Sequence, residues 1–143
     1  MTMSFNKFVK YHSSLGINMS DISYCAYAYA LNVLKGKYEK GEPDIAKSDI
    51  WSYFYARDIL QGRFELGEPT IATSATWSFY YAENVLKGRF ALGEPVIAEA
   101  ADHSLYYARD VLKDRFELGE ISINKVKYYK NIYEEFLDSL DKV

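Results

Sequence analysis

Apolar and polar positions along this chain fall into a pattern that returns at a fixed interval. Trp51, Phe54, Tyr55 and Ile59 stand at i, i+3, i+4 and i+8, the spacing of one face of an α-helix. Ser48 and Ser74 precede such segments, where a side-chain oxygen can accept from an orphan amide at the helix start. Gly36, Gly62 and Gly88 follow the last periodic residue, which predicts a left-handed C-cap at the glycine. Asp114 takes that place in the last copy and would hold the conformation at some cost. The pattern predicts long helices over about 49–61, 75–87 and 101–113, with an earlier version over 21–35.

Each long helix is followed by a segment that must return the chain to the start of the next. Glu65 to Ala72 fits a short helix beginning near Glu68, because Pro69 is acceptable only in a first turn, with a looser turn from Glu65. Leu66 and Ile71 are its expected buried positions, and Phe64 packs at its entrance. A strand reading fails because Tyr53, Phe54 and Tyr55 are consecutive aromatics where alternation is required. The frame of a leucine-rich repeat is absent, and a tetratricopeptide repeat has a longer period.

The expected fold is all-α: an α-solenoid of about four 26-residue two-helix repeats at 23–48, 49–74, 75–100 and 101–126, within one domain over 1–143. Residues 1–22 form an N-terminal cap, with Phe5, Phe8 and Val9 at helical spacing. Residues 127–143 form a C-terminal capping helix, in which Tyr129, Tyr133 and Leu137 keep the first half of the pattern. Degenerate ends suit a stack, since terminal repeats must present one polar face to water.

Composition narrows the function classes. Half the residues are apolar and a quarter charged, as in a globular protein; aromatics reach 17%, with 14 Tyr, and their fixed positions make them packing units. A net charge of −3 argues against a general affinity for nucleic-acid backbones. One cysteine, Cys25, allows no intramolecular disulfide and fits a reducing compartment. With no signal-peptide core and no long apolar run, the expected location is cytoplasmic, with no membrane contact. No Cys/His cluster has metal-ligand spacing and no glycine motif cradles phosphate, so neither an enzyme nor a cofactor is expected. Cys25 and His103 both fall in the Trp51/Trp77 column and read as packed helix residues.

Comparing the copies sorts the columns. Tyr29/Tyr55/Tyr81/Tyr107/Tyr133 and Ala30/Ala56/Ala82/Ala108 recur as core, as do Phe64/Phe90/Phe116 and Ile45/Ile71/Ile97/Ile123. Lys37/Arg63/Arg89/Arg115 and Glu42/Glu68/Glu94/Glu120 recur five residues apart, as a ladder of ion pairs would. The same basic column is the candidate ligand-binding set for phosphate, one cation per repeat at roughly 10 Å intervals. Variable columns are the candidate partner-binding positions: Arg57, Glu83 and Arg109 centrally, then Thr73 and Glu99. Asn32/Asp58/Asn84/Asp110 reads as a hydrogen-bonding position.

The stretch Trp51–Ala72 and its copy Trp77–Ala98 resemble a short tandem repeat of the form Tyr-Ala-Arg-Asp-Val-(Ile/Leu)-Lys-Gly-Arg-(Phe/Trp), then Gly-Glu-Pro-x-Ile-Ala, found in mostly uncharacterised proteins of bacteriophages and other large DNA viruses. The resemblance covers about 23–126, and Tyr107 to Lys113 matches closely, while Asp114 and Ile121 replace the usual Gly and Pro. It implies a viral origin and a location in the host cytoplasm, and small viral proteins of this kind are often inhibitors of host enzymes or defence systems. The expected function is thus a non-enzymatic module that binds a host defence or metabolic protein sterically. A phosphate-ligand module, for nucleotide or RNA, and a self-assembling homo-oligomer are the alternatives.

Overall fold

In the computed structural model of the chain, which describes residues 1–142, the fold is an all-α solenoid of repeated helix pairs, and no strand occurs among the described residues. Helix α1 (Phe5–Ser14) precedes α2 (Ile22–Tyr29), and short α3 (Glu42–Ile45) completes the first repeat. Long and short helices then alternate: α4 (Asp49–Phe54), α5 (Glu68–Ile71), α6 (Ala75–Tyr80), α7 (Glu94–Ile97), α8 (Ala101–Tyr106) and α9 (Glu120–Asn124). Helix α10 (Lys127–Leu140) ends the chain. The chain divides into two compact units, Met1–Thr70 and Ile71–Val143.

Helix starts follow the expected chemistry. Ser48 accepts from the Trp51 amide, Ser74 from that of Trp77, and Asp21 from those of Ser23 and Tyr24. Ala100 holds the same place before α8 and offers no side-chain cap. Each short helix opens with a single 3₁₀ turn, such as Glu65–Gly67, and Pro43 and Pro95 sit in the first turns of α3 and α7.

Helix ends depart from expectation. The second half of each long helix is a π-helix, over Ala30–Leu34, Tyr55–Leu60, Tyr81–Leu86 and Tyr107–Leu112. The Ala56 carbonyl accepts from two amides, Gln61 N–H and Gly62 N–H, the latter at 3.2 Å. The left-handed residue is therefore not the glycine but its predecessor: Lys35, Gln61, Lys87 and Lys113 have φ of 52–54°. Each holds that conformation at a cost of about 1–2 kcal/mol, and each is a long exposed side chain that the widened turn points to water. Asp114, one residue beyond, carries none of the expected strain.

The glycines that packing does require are Gly41, Gly67, Gly93 and Gly119. A Cβ on Gly67 would lie 2.6 Å from Ser52 Oγ, and one on Gly119 would lie 2.5 Å from Ser104 Oγ. Here the 3₁₀ turn rests directly on the long helix of its own repeat. Ser52, Ser78 and Ser104 are wholly buried at that contact and donate to the Ile45, Ile71 and Ile97 carbonyls at 2.9–3.1 Å. The hydroxyl thus satisfies a carbonyl at the end of the preceding short helix.

The core columns behave as their repetition predicts. Tyr55, Tyr81, Tyr107, Ala56, Ala82, Ala108, Ile45, Ile71, Ile97 and Ile123 are fully buried. The buried face of α4 and the π turn after it is set by Ser52, Tyr53 and Tyr55, while Trp51 and Phe54, expected on it, are half-buried and pack back on the first repeat. Trp51 stacks on Tyr27 at 5.1 Å and meets Tyr24 at 4.9 Å. Leu66, expected in the core, is 55% exposed, because the 3₁₀ turn rotates it outward while Gly67 makes the contact. At the N-terminal end Phe5 and Phe8 of α1 close over Tyr29, and Tyr133 of α10 is buried at the other end.

Candidate functional site

The repeated tyrosine does more than fill space. Tyr107 Oη accepts from the Phe90 amide at 3.0 Å and donates to Glu94 Oε1 at 2.9 Å. Tyr55 makes the same pair of bonds to the Tyr38 amide and Glu42, and Tyr133 to the Phe116 amide and Glu120. One phenol thereby ties a long helix to the turn and carboxylate of the repeat before it. Burial, with the carboxylate hydrogen bond behind it, pushes the Tyr55, Tyr107 and Tyr133 phenols above their ordinary range.

The same glutamates answer the basic column. Arg63 reaches Glu68 through two bonds of 2.9 Å; Arg89 reaches Glu94, and Arg115 reaches Glu120, at 2.6 Å. Lys37 lies 3.4 Å from Glu39 and 3.9 Å from Glu42. The candidate phosphate ligands Lys37, Arg63, Arg89 and Arg115 are thus each engaged by a carboxylate of their own repeat, the ladder that the spacing suggests. The hydrogen bonds they donate to Glu94 and Glu120 hold the Arg89 and Arg115 guanidinium groups charged well into the alkaline range. In the second unit Arg89 and Arg115 line one open cleft of about 720 Å³, with Glu94, Asp114, Glu117 and Leu118. Three acids face two bases there, an unfavourable setting for an added anion.

The candidate partner contacts stand at different ends of the long helices. Arg57 grips the adjacent Asp58 at 2.6 and 3.1 Å and lies over the Tyr53 and Phe54 rings, 5.4 and 4.7 Å from their centres. Arg109 grips Asp110 at 2.7 and 3.0 Å over the Tyr106 ring. Both guanidinium groups are fixed in place yet over two-fifths exposed. Asp58 also accepts from Tyr27 Oη at 2.8 Å, the hydrogen-bonding role expected of its column. Burial works against its charge, but the Arg57 and Tyr27 bonds prevail and lower its pKa.

Glu83 lines a cleft of about 340 Å³ with Lys87, Asp110 and Lys113, and its charge is felt by Arg109. The equivalent residues of the first unit, Leu31, Lys35, Asp58 and Gln61 among them, line a cleft of about 420 Å³. Thr73 and Glu99 are exposed but stand just before α6 and α8, whereas Glu83 and Arg109 lie in the π turns at the far ends of those helices.

Three exposed leucines escape sequence reasoning. Leu66, Leu92 and Leu118 are 55%, 54% and 57% exposed, and Ile121 in α9 is 72% exposed. Lys40 in the same column was the available signal, since a core position would not accept a lysine in one copy.

Cys25 is fully buried, donates to the Met19 carbonyl at 3.2 Å, and has its thiol pushed up by burial. His103 is half-buried, 3.0 Å from Asp102 and edge-on to Phe79. No group of three or more His, Cys, Asp or Glu is placed to hold a metal ion among the described residues. No helix there is long and apolar enough to cross a membrane. No protein-family profile, curated protein or solved structure matches this chain.

Proposed function

We propose that the chain is a non-enzymatic protein-binding module that acts on a host protein by steric occupation. The observation that carries this reading is the leucine column. Leu66, Leu92 and Leu118 recur in three copies with more than half their surface in water, so packing within the chain does not account for their retention. In the second unit Leu118 shares one cleft with the Arg89–Glu94 pair and Arg115, a combination of apolar anchor and hydrogen-bonded polar rim on which protein interfaces rely. The phosphate reading is weaker because a phosphate would displace a built-in carboxylate at every step of the ladder. The viral resemblance directs the search for the partner to host defence and metabolic proteins.

The test is affinity capture from extracts of the infected host, followed by direct binding measurements with the purified partner. Leu92→Asp with Leu118→Asp is expected to weaken binding by at least 100-fold, on the order of two desolvated anchors at about 1.4–2 kcal/mol each. Arg57→Ala with Arg109→Ala is expected to weaken it by less than about tenfold, as rim contacts do. Unchanged affinity in the leucine pair would exclude that face. A large loss confined to the arginine pair would assign the interface to the variable columns instead.

A further inference from the structure

Charged residues of α1 and α10 are placed against the helix dipole, which favours acids near a helix start and bases near its end. Helix α1 has no acid in its first turn but carries Lys7 there, with Lys10 three residues on, and residues 1–20 contain no Asp or Glu. Asp21, the first acid of the chain, is engaged by the Ser23 and Tyr24 amides and the Trp51 indole. Helix α10 has no acid in its first turn and no base in its last, while Glu134, Glu135 and Asp138 occupy its C-terminal half. Glu134 lies 3.9 Å from Lys130, whereas Lys7, Lys10, Glu135 and Asp138 make no ion pair among the described residues. Both sets face water. Lys7, Lys10, Tyr11 and Ser14 form one exposed strip of α1, and Tyr128, Asn131, Glu135 and Asp138 form one of α10. Beside that strip, at the columns of the wholly buried Ser52 and Ala56, α10 carries exposed Lys130 and Glu134. Helix α10 thus turns to water a face that the earlier long helices bury.

We propose that the α1 strip of one copy of this chain docks on the acidic strip of α10 of a second copy. Charge complementarity names the occupant: Lys7 and Lys10 are two cations on a helix without acids, and Glu135 and Asp138 are two carboxylates that nothing in the chain answers. Each strip also holds a large exposed ring, Tyr11 at 54% and Tyr128 at 69%, which the contact would cover. Both halves of the pair are present in every molecule, so the complement is always at matching concentration. The two strips are different surfaces, which makes the contact heterologous: association continues past the dimer unless the geometry closes a ring. Exposed ion pairs contribute little one by one, which places the contact in the weak class, with Kd on the order of 0.1 mM. It uses no residue of the leucine column, so self-association and the binding of a host protein are separable.

Sedimentation equilibrium of the full chain, from about 10 µM to about 1 mM, is the measurement. In low salt the weight-average mass should rise with concentration above that of one copy. Raising NaCl from about 50 mM to about 500 mM should weaken the association at least about fivefold, because the contact is ionic. Lys7→Glu with Lys10→Glu, and separately Glu135→Lys with Asp138→Lys, should each weaken it at least about tenfold, since like charges then meet. The exchanges fall on exposed positions, and those at Lys7, Glu135 and Asp138 suit the helix dipole, so both variants should fold. Mixed in equal amounts, the two variants should associate as the unaltered chain does, because every α1 strip again finds an α10 strip of opposite charge. A monomer throughout in low salt, unchanged association in either variant, or a mixture no more associated than its components would overturn the proposal.

Discussion

Replacing Tyr107 by Phe removes one oxygen atom and leaves the ring, so it isolates the phenol's contribution at a repeat junction. Tyr107 is fully buried, accepts from the buried Phe90 amide at 3.0 Å and donates to Glu94 at 2.9 Å. Without the phenol, the Phe90 N–H is stranded in the core at a cost of about 1–3 kcal/mol, and a hydrogen bond to a charged acceptor worth about 1.5–3 kcal/mol is lost. Glu94 keeps Arg89 and part of its solvation, so the two figures overlap, and the expected total is about 3 kcal/mol. With a urea dependence of about 2 kcal/mol per molar, the midpoint should fall by about 1.5 M. Urea unfolding followed by circular dichroism and tyrosine fluorescence reads this directly. Tyr128→Phe is the control, because that side chain is 69% exposed and its loss should stay within about 0.5 kcal/mol. A double-mutant cycle with Glu94→Gln should return a coupling of about 1 kcal/mol or more. A Tyr107→Phe midpoint indistinguishable from the control would refute the claim that the phenol joins repeats, and would leave Tyr107 as a packing ring only.

Alkaline pH probes the same bonds collectively. The phenols of Tyr27, Tyr55, Tyr107 and Tyr133 are raised by burial, that of Tyr27 to about 12. A raised phenol keeps its proton in the folded state when the unfolded chain has lost it. Its contribution is therefore whole below pH about 10 and is lost as pH rises through the folded value. With two such groups in each compact unit, stability should drop by about 3 kcal/mol per pH unit in each above pH about 10; a flat profile between pH 9 and 11 would contradict the buried phenols. A pair of glycine substitutions separates the two glycine columns. Gly93→Ala would place Cβ 2.5 Å from the Phe90 ring and 2.7 Å from Ser78 Cβ, costing about 2 kcal/mol. Gly88→Ala meets nothing closer than the Leu86 carbonyl at 3.9 Å and should stabilise by about 0.5 kcal/mol through the unfolded chain; equal effects in thermal unfolding would show the contact at Gly93 to be pliable.

What could be read from the sequence depended on whether a column's requirement was local or arose from a neighbouring repeat. The fold class, the helix starts at Ser48 and Ser74, and the tyrosine and isoleucine columns follow from period and capping chemistry alone. The π turns were less legible, because their extra residue per turn leaves the 26-residue period unchanged and displaces the buried face only locally. Even so, one copy carried the clue. Asp114 fills the place of Gly36, Gly62 and Gly88, whereas Gly41, Gly67, Gly93 and Gly119 are never replaced. A glycine demanded by a long reach tolerates aspartate; one pressed against Ser52 or Ser104 tolerates no Cβ at all. The same reasoning reads Lys40 among the leucines as a sign of exposure. Departures within a repeat therefore carry information that its consensus does not. In the leucine column the departure marks exposed surface, where side-chain chemistry changes between repeats while the stack stays the same.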